Sequence, residues 1–322
     1  MKRFKRIVLF LCCVCLTDAS YGIEFDEALW KNAIMHVRYS LDCKTCPKGY
    51  LDLIDTKSIK INEKAISLKF LNILESGPSN NRLEEYTTKA SQTKVSNFLA
   101  KHQPKLCDAF SKTQVDPIVV TSLLYMETLF GSEDIPWFKA LESLVSLAAL
   151  SETNFAREVI SKLKPRMKIY KKYRNNPKKW QPYDWEARAK KIAADWTLHL
   201  EAFLKIAQIQ QWDAQKLKTM KSSWAGAVGY SQFMPNTALP YITAHKELDF
   251  WDWPSSFMLT SLYLRDKGFD KDAQSALKSY NSPKWYRDTI VALSSLMNEK
   301  YPTFCKPLVE SKQHVYDVVP KW

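Results

Sequence analysis

The chain has 322 residues, 46% of them hydrophobic and 25% charged, with a formal net charge of +13 at pH 7. That length buries a core in one large domain or two small ones, as in an ordinary globular protein; no apolar run is long enough to span a bilayer as a helix, which excludes a helical membrane span. The charge is uneven: residues 162–191 hold twelve Lys and Arg against Asp184 and Glu186, and the rest of the chain after residue 20 is close to neutral.

Residues 1–20 read as a secretory signal peptide. Lys2, Arg3, Lys5 and Arg6 precede the apolar run Ile7 to Leu16 and the small-residue exit Asp18-Ala19-Ser20. Cys12, Cys13 and Cys15 follow Leu11, Cys12 and Val14, where a lipoprotein signal has a small residue, so a free exported chain, periplasmic or extracellular, is expected, with membrane association left open. Export makes disulfides the default for Cys43, Cys46, Cys107 and Cys305, and the expected pairing is Cys43 with Cys46 and Cys107 with Cys305. The CxxC lacks a second CxxC or HxxxH, and the five histidines are scattered, so neither metal nor cofactor is expected.

Residues 21–110 form an N-terminal segment without a recognisable motif. Alternation from Ser58 to Leu68 predicts a short strand, and Gly77-Pro78-Ser79-Asn80-Asn81 a loop. Asp116 then stands as an N-cap, Pro117 at the first helical position, and Gly131 as the terminator about four turns later. Within this helix Glu127 shares a face with Leu124, Leu123 and Val120. Desolvation on an apolar stripe and the negative helix end both raise a carboxyl pKa, toward the range a general acid needs. A structural Glu reaching water or a cation is the plain alternative.

Helical spacing recurs through Phe138 to Leu150, Ala187 to Gln211, Pro254 to Lys267 and Tyr286 to Met297, so the fold is predicted mainly α with little sheet. Between the first two lies a basic insertion at about 156–192, broken at Asn175-Asn176-Pro177. Tyr170, Tyr173, Trp180, Tyr183 and Trp185 interleave with its charges. Outside the cell this composition suits an anionic wall polymer or lipid headgroup rather than nucleic acid; a solvated insertion without a partner is the other reading.

The chain has seven glycines, and Gly226 and Gly229 fall in one strip, Ser223 to Pro235, reading SWAGAVGYSQFMP. Glu127-Thr128-Leu129-Phe130-Gly131 followed by this strip resembles the lytic transglycosylases of the membrane-bound lytic transglycosylase B type, with their ETxxG and SxAGAxGxxQFMP motifs. Further matches follow in order: Leu200-Glu201-Ala202-Phe203-Leu204, Phe250-Trp251-Asp252, Leu262-Tyr263 through Gly268-Phe269, and Tyr280-Asn281 with Tyr286, so the likeness runs from about Pro117 to Met297. It implies an α+β lysozyme-like fold over 111–322 and a monomeric enzyme acting on peptidoglycan. Glu127 would be its single catalytic acid, then base. Ser223 and Gln232 would hydrogen-bond the reacting sugar and the acid, with Gly226 and Gly229 letting backbone approach the glycan. Asn281 would orient the N-acetyl group, and Tyr230, Tyr263, Tyr280 and Tyr286 would supply stacking or hydroxyl contacts. Some members carry an acidic calcium loop after QFMP; Ala244-His245-Lys246-Glu247-Leu248 stands there instead, so no calcium is expected.

Three other functions compete. A hydrolytic lysozyme would need a second carboxylate, for which Glu133 or Asp134 could be offered. A serine hydrolase would use Ser231 in Gly229-Tyr230-Ser231-Gln232-Phe233, which lacks the final glycine of a nucleophile elbow. A noncatalytic wall-binding or secretion-system protein would draw on the basic insertion and the unmatched N-terminal segment.

Overall fold

Fourteen α-helices run through a computed structural model that describes residues 25–41, 48–75, 82–132, 136–173 and 184–305. They are α1 (Glu27–Ser40), α2 (Lys48–Asp52), α3 (Glu63–Glu75), α4 (Arg82–Tyr86), α5 (Lys89–Thr113), α6 (Pro117–Thr128) and α7 (Ala140–Ala148). The remainder are α8 (Thr153–Tyr173), α9 (Trp185–Ile209), α10 (Ala214–Thr219), α11 (Pro235–Ala244), α12 (Trp253–Asp266), α13 (Ala273–Tyr280) and α14 (Lys284–Lys300). Two short strands, β1 (Phe138–Lys139) and β2 (Lys221–Ser222), pair antiparallel, with Phe138 opposite Ser222 and Lys139 opposite Lys221. The signal segment, Cys43 and Cys46, Glu133 and Asp134, and residues 174–183 of the basic stretch lie outside the described residues.

Aspartates start many of these helices. The carboxylates of Asp26, Asp116, Asp184, Asp213, Asp252 and Asp272 each accept a first-turn backbone N–H, where they also meet the positive end of the helix dipole. The strand expected over Ser58 to Leu68 is not formed. Asn62 Oδ1 instead accepts the Ala65 N–H at 2.9 Å and opens α3, whose Ala65, Ile66 and Phe70 are buried at helical spacing.

The described chain falls into two compact units, each built from separated stretches: residues 82–132 with 248–305, and residues 25–75 with 136–247. In the first, α14 packs on α4, α5 and α6, and α12 packs on α5 and α6. Asn298 Nδ2 donates to Asp116 Oδ2 at 3.2 Å, Lys300 Nζ donates to Ser96 Oγ at 2.9 Å, and a Cys107–Cys305 disulfide joins α5 to the residues after α14. In the second unit α9 packs against α7 and α11, and α3 and α10 pack against α7. No helix of the described residues is long and apolar enough to cross a membrane.

The cystine closes a loop with a sequence separation of 198 residues. Opening a loop of that size restores much freedom to the unfolded chain, so Cys107→Ser should cost about 2–5 kcal/mol in urea unfolding, and a reducing agent should lower the wild-type midpoint to match.

Candidate active site

α6 is buried along its length except at one side chain. Pro117 to Met126 and Thr128 are all buried, and Glu127 alone is half-buried. The expected apolar stripe is therefore an apolar cylinder, and Glu127 is the point at which it stays open. The helix also ends earlier than Gly131 suggested. Leu129 at φ 47°, Phe130 at φ 59° and Gly131 at φ 75° follow one another in the left-handed region. Non-glycine residues there cost roughly 1–2 kcal/mol each. The Leu129 N–H donates to the Tyr125 carbonyl at 2.8 Å, and the N–H groups of Gly131 and Ser132 donate to the Thr128 carbonyl at 2.8 and 3.1 Å.

The Tyr286 hydroxyl donates a hydrogen bond to Glu127 Oε1. Burial pushes the Glu127 carboxyl up to about 7, with the Tyr286 donor pulling the other way. Tyr280 also lies close: burial first, and then the Glu127 charge, hold its phenol well above the usual tyrosine range. Its ring meets that of Tyr263 edge to face at 5.3 Å, and Tyr263 Oη donates to the Ser279 carbonyl at 2.6 Å. Asn281 is the C-cap of α13 and is exposed. One unit thus gathers Glu127, Tyr263, Tyr280, Asn281 and Tyr286.

Ser223, Gly226, Gly229, Tyr230 and Gln232 belong to the other unit. Their strip is a tightly self-bonded loop in which Val228 bridges to both Ser222 and Phe233. Ser223 Oγ accepts the Ala227 N–H at 3.1 Å, and Gln232, at φ 49°, donates its Nε2 to the Gly229 carbonyl at 2.7 Å. Trp196 of α9 donates its Nε1–H to the Ala225 carbonyl at 2.9 Å, and Lys69 Nζ lies 4.1 Å from that ring. The missing side chain of Gly226 is used inside the unit: at φ +89°, an added Cβ would stand 2.5 Å from Leu144 Cδ2 of α7. Ser231 is 1% exposed, a position closed to a nucleophile.

In the segment after α11, Glu247 Oε1 lies 3.7 Å from His245 Nδ1. Among the described residues no three His, Cys, Asp or Glu side chains are grouped to hold a metal.

The architecture matches the fold of solved lytic transglycosylases. Soluble lytic transglycosylase SltB1 from Pseudomonas aeruginosa superposes with a TM-score of 0.59 at 14% identity, over 84% of this chain and 99% of that one. SltB3 from the same organism, in complex with NAG-NAM-pentapeptide, gives 0.59 at 15% identity, over 84% and 79%. The Escherichia coli lytic transglycosylase Slt35, in complex with calcium, gives 0.60 at 14% identity, over 84% and 94%. No curated protein sequence matches the chain. The transglycosylase SLT domain model matches residues 55–289, and the chain belongs to that family. The match begins inside the stretch where no motif was legible.

Two measurements check this geometry. The folded Glu127 carboxyl titrates above its unfolded value of 4.5. Below that value both states are protonated and nothing is lost; as pH rises toward about 7 the folded state loses stability relative to the unfolded one, and above it the penalty is constant. Glu127→Gln keeps an acceptor for Tyr286 and should be more stable than wild type by on the order of 2 kcal/mol at alkaline pH in urea unfolding, with the gap closed in acid. Gly226→Ala should lose about 2–4 kcal/mol, read as a lower thermal midpoint, because strain and the Leu144 clash add.

Proposed function

We propose that the chain cleaves the β-1,4 bond between N-acetylmuramic acid and N-acetylglucosamine in peptidoglycan without water, with Glu127 as acid and then base. The observation that carries this reading is the carboxyl at the open point of α6, reachable, hydrogen-bonded by Tyr286 and held at about 7. Near neutral pH such a group is in large part protonated and also a competent base.

Protonated Glu127 gives its proton to the glycosidic oxygen. The carboxylate so formed takes the proton from the muramic 6-hydroxyl as that oxygen bonds to the anomeric carbon, giving a 1,6-anhydro end and regenerating the acid. The substrate brings its own nucleophile, so one carboxylate suffices. Tyr286 stabilises the carboxylate between the two proton transfers. Asn281, Tyr230, Tyr263 and Tyr280 are assigned to the sugars, as are Ser223 and Gln232 of the strip. Gly226 and Gly229 are assigned to the strip's backbone path. A periplasmic or wall location is part of this reading, supported by the basic and apolar opening of residues 2–16.

Mass spectrometry of digested peptidoglycan tests the reaction. Wild type should release anhydro-muramic ends, with the rate falling as pH rises through about 7, and Glu127→Gln should release none while still binding. Reducing ends in place of anhydro ends would identify hydrolysis, and undiminished lysis by Glu127→Gln would remove the acid from this position.

A further inference from the structure

Phe130 and Gly131 stand three and four residues after Glu127. Had α6 run on, side chains at those positions would lie on the face of Glu127 and lean back toward the helix N-terminus, laying the Phe130 ring over the carboxyl. The chain instead makes a left-handed turn through Leu129, Phe130 and Gly131, although only the glycine accepts that conformation freely.

The backbone bonds to Thr128 close the turn, and they do not decide where the ring of Phe130 goes. That is settled by Phe98 of α5. The two rings stack face to face, with centroids 3.8 Å apart and planes at 4°. Phe98 is enclosed in turn: Trp253 meets it edge-on at 4.8 Å, Phe257 at 5.9 Å, and His102 lies 4.4 Å away. Tyr125 flanks Phe130 at 5.1 Å, with its hydroxyl donating to Ser91 Oγ at 3.1 Å. Phe98 is 8% exposed, so its ring is a fixed platform.

We propose that Phe98 is a positioning residue for the acid: by stacking on Phe130 it holds residues 129–131 in the left-handed turn and keeps the Phe130 ring off Glu127. Its ring contacts are with Phe130, His102, Trp253 and Phe257. The titratable groups on the carboxyl side are Tyr286 of α14 and Tyr280 of α13, with Tyr263 of α12 against Tyr280. On the Phe98 side stand His102 of α5, lowered by burial and by Lys101, and Asp252 at the start of α12, which acts on it in the opposite sense. Of these groups His102 is the one whose ring contacts Phe98, at 4.4 Å.

The proposal rests on Glu127 being the acid, and the test separates the two. Phe98→Leu keeps most of the volume and removes the flat face; Phe98→Ala is the more severe variant, and far-UV circular dichroism confirms that each is folded. On soluble glycan strands, kcat should fall about tenfold or more with KM little changed. In 13C NMR the Glu127 carboxyl resonance, identified by its loss in Glu127→Gln, should titrate at higher pH than in wild type, because a ring now covers it. Removing that ring as well, in Phe98→Leu with Phe130→Ala, should restore both the titration and most of kcat. Unchanged titration in Phe98→Leu, a downward shift, or a double variant as slow as the single one would overturn the proposal. If titration shifts and recovers as expected but kcat never follows, the turn's role stands and the assignment of Glu127 as the acid falls.

Discussion

The Tyr286 hydroxyl reaches Glu127 across 159 residues of sequence, and much of the first unit serves to keep the two together. α14 carries the tyrosine, and it is pinned at intervals: Asn298 to the N-cap aspartate of α6, Lys300 to Ser96 of α5, and the residues beyond it to Cys107. The same helix thus supplies the donor and clamps the start of the helix that supplies the acceptor. Burial raises the carboxyl, and the hydroxyl acts in the opposite sense, favouring the carboxylate.

The glycine strip follows another logic. Its polar side chains turn inward: Ser223 and Gln232 bind backbone groups of their own loop, and Trp196 holds Ala225 from α9. These bonds fix the path of the loop from within. Gly226 contributes by packing on Leu144 rather than by leaving open space, so its positive φ and its missing side chain serve one contact.

Much of this could be read from local chemistry. The Asp116-Pro117 start of α6 is a matter of neighbouring residues, and Glu127 stood out because a charge inside an apolar run is costly unless used. The spacings over α7, α9, α12 and α14 also reported helices within a few residues of their ends. What stayed hidden depends on distant partners. Leu129 and Phe130 do not look left-handed; a ring on another helix makes them so. α5 contains Pro104 and a polar run beside it, so its 25 residues show little periodicity, and nothing in them marks Phe98. Ser58 to Leu68 alternates as a strand does, yet Asn62 caps a helix in its middle. The order of the motifs brought Tyr286 in only as a stacking or hydroxyl contact; its pairing with Glu127 was not legible, since no spacing rule joins residues so far apart.

The assembly of the first unit from residues 82–132 and 248–305 has a consequence for biosynthesis. Growing from its N-terminus, the chain presents α6, an almost wholly apolar helix, long before α12, α13 and α14 exist to cover it. Contacts of such high sequence separation form slowly. The Glu127 carboxyl therefore acquires its hydroxyl partner only after the last helices have emerged and docked. A chain that stops short of α14 thus carries the Glu127 carboxyl without its Tyr286 partner and the apolar face of α6 without its cover.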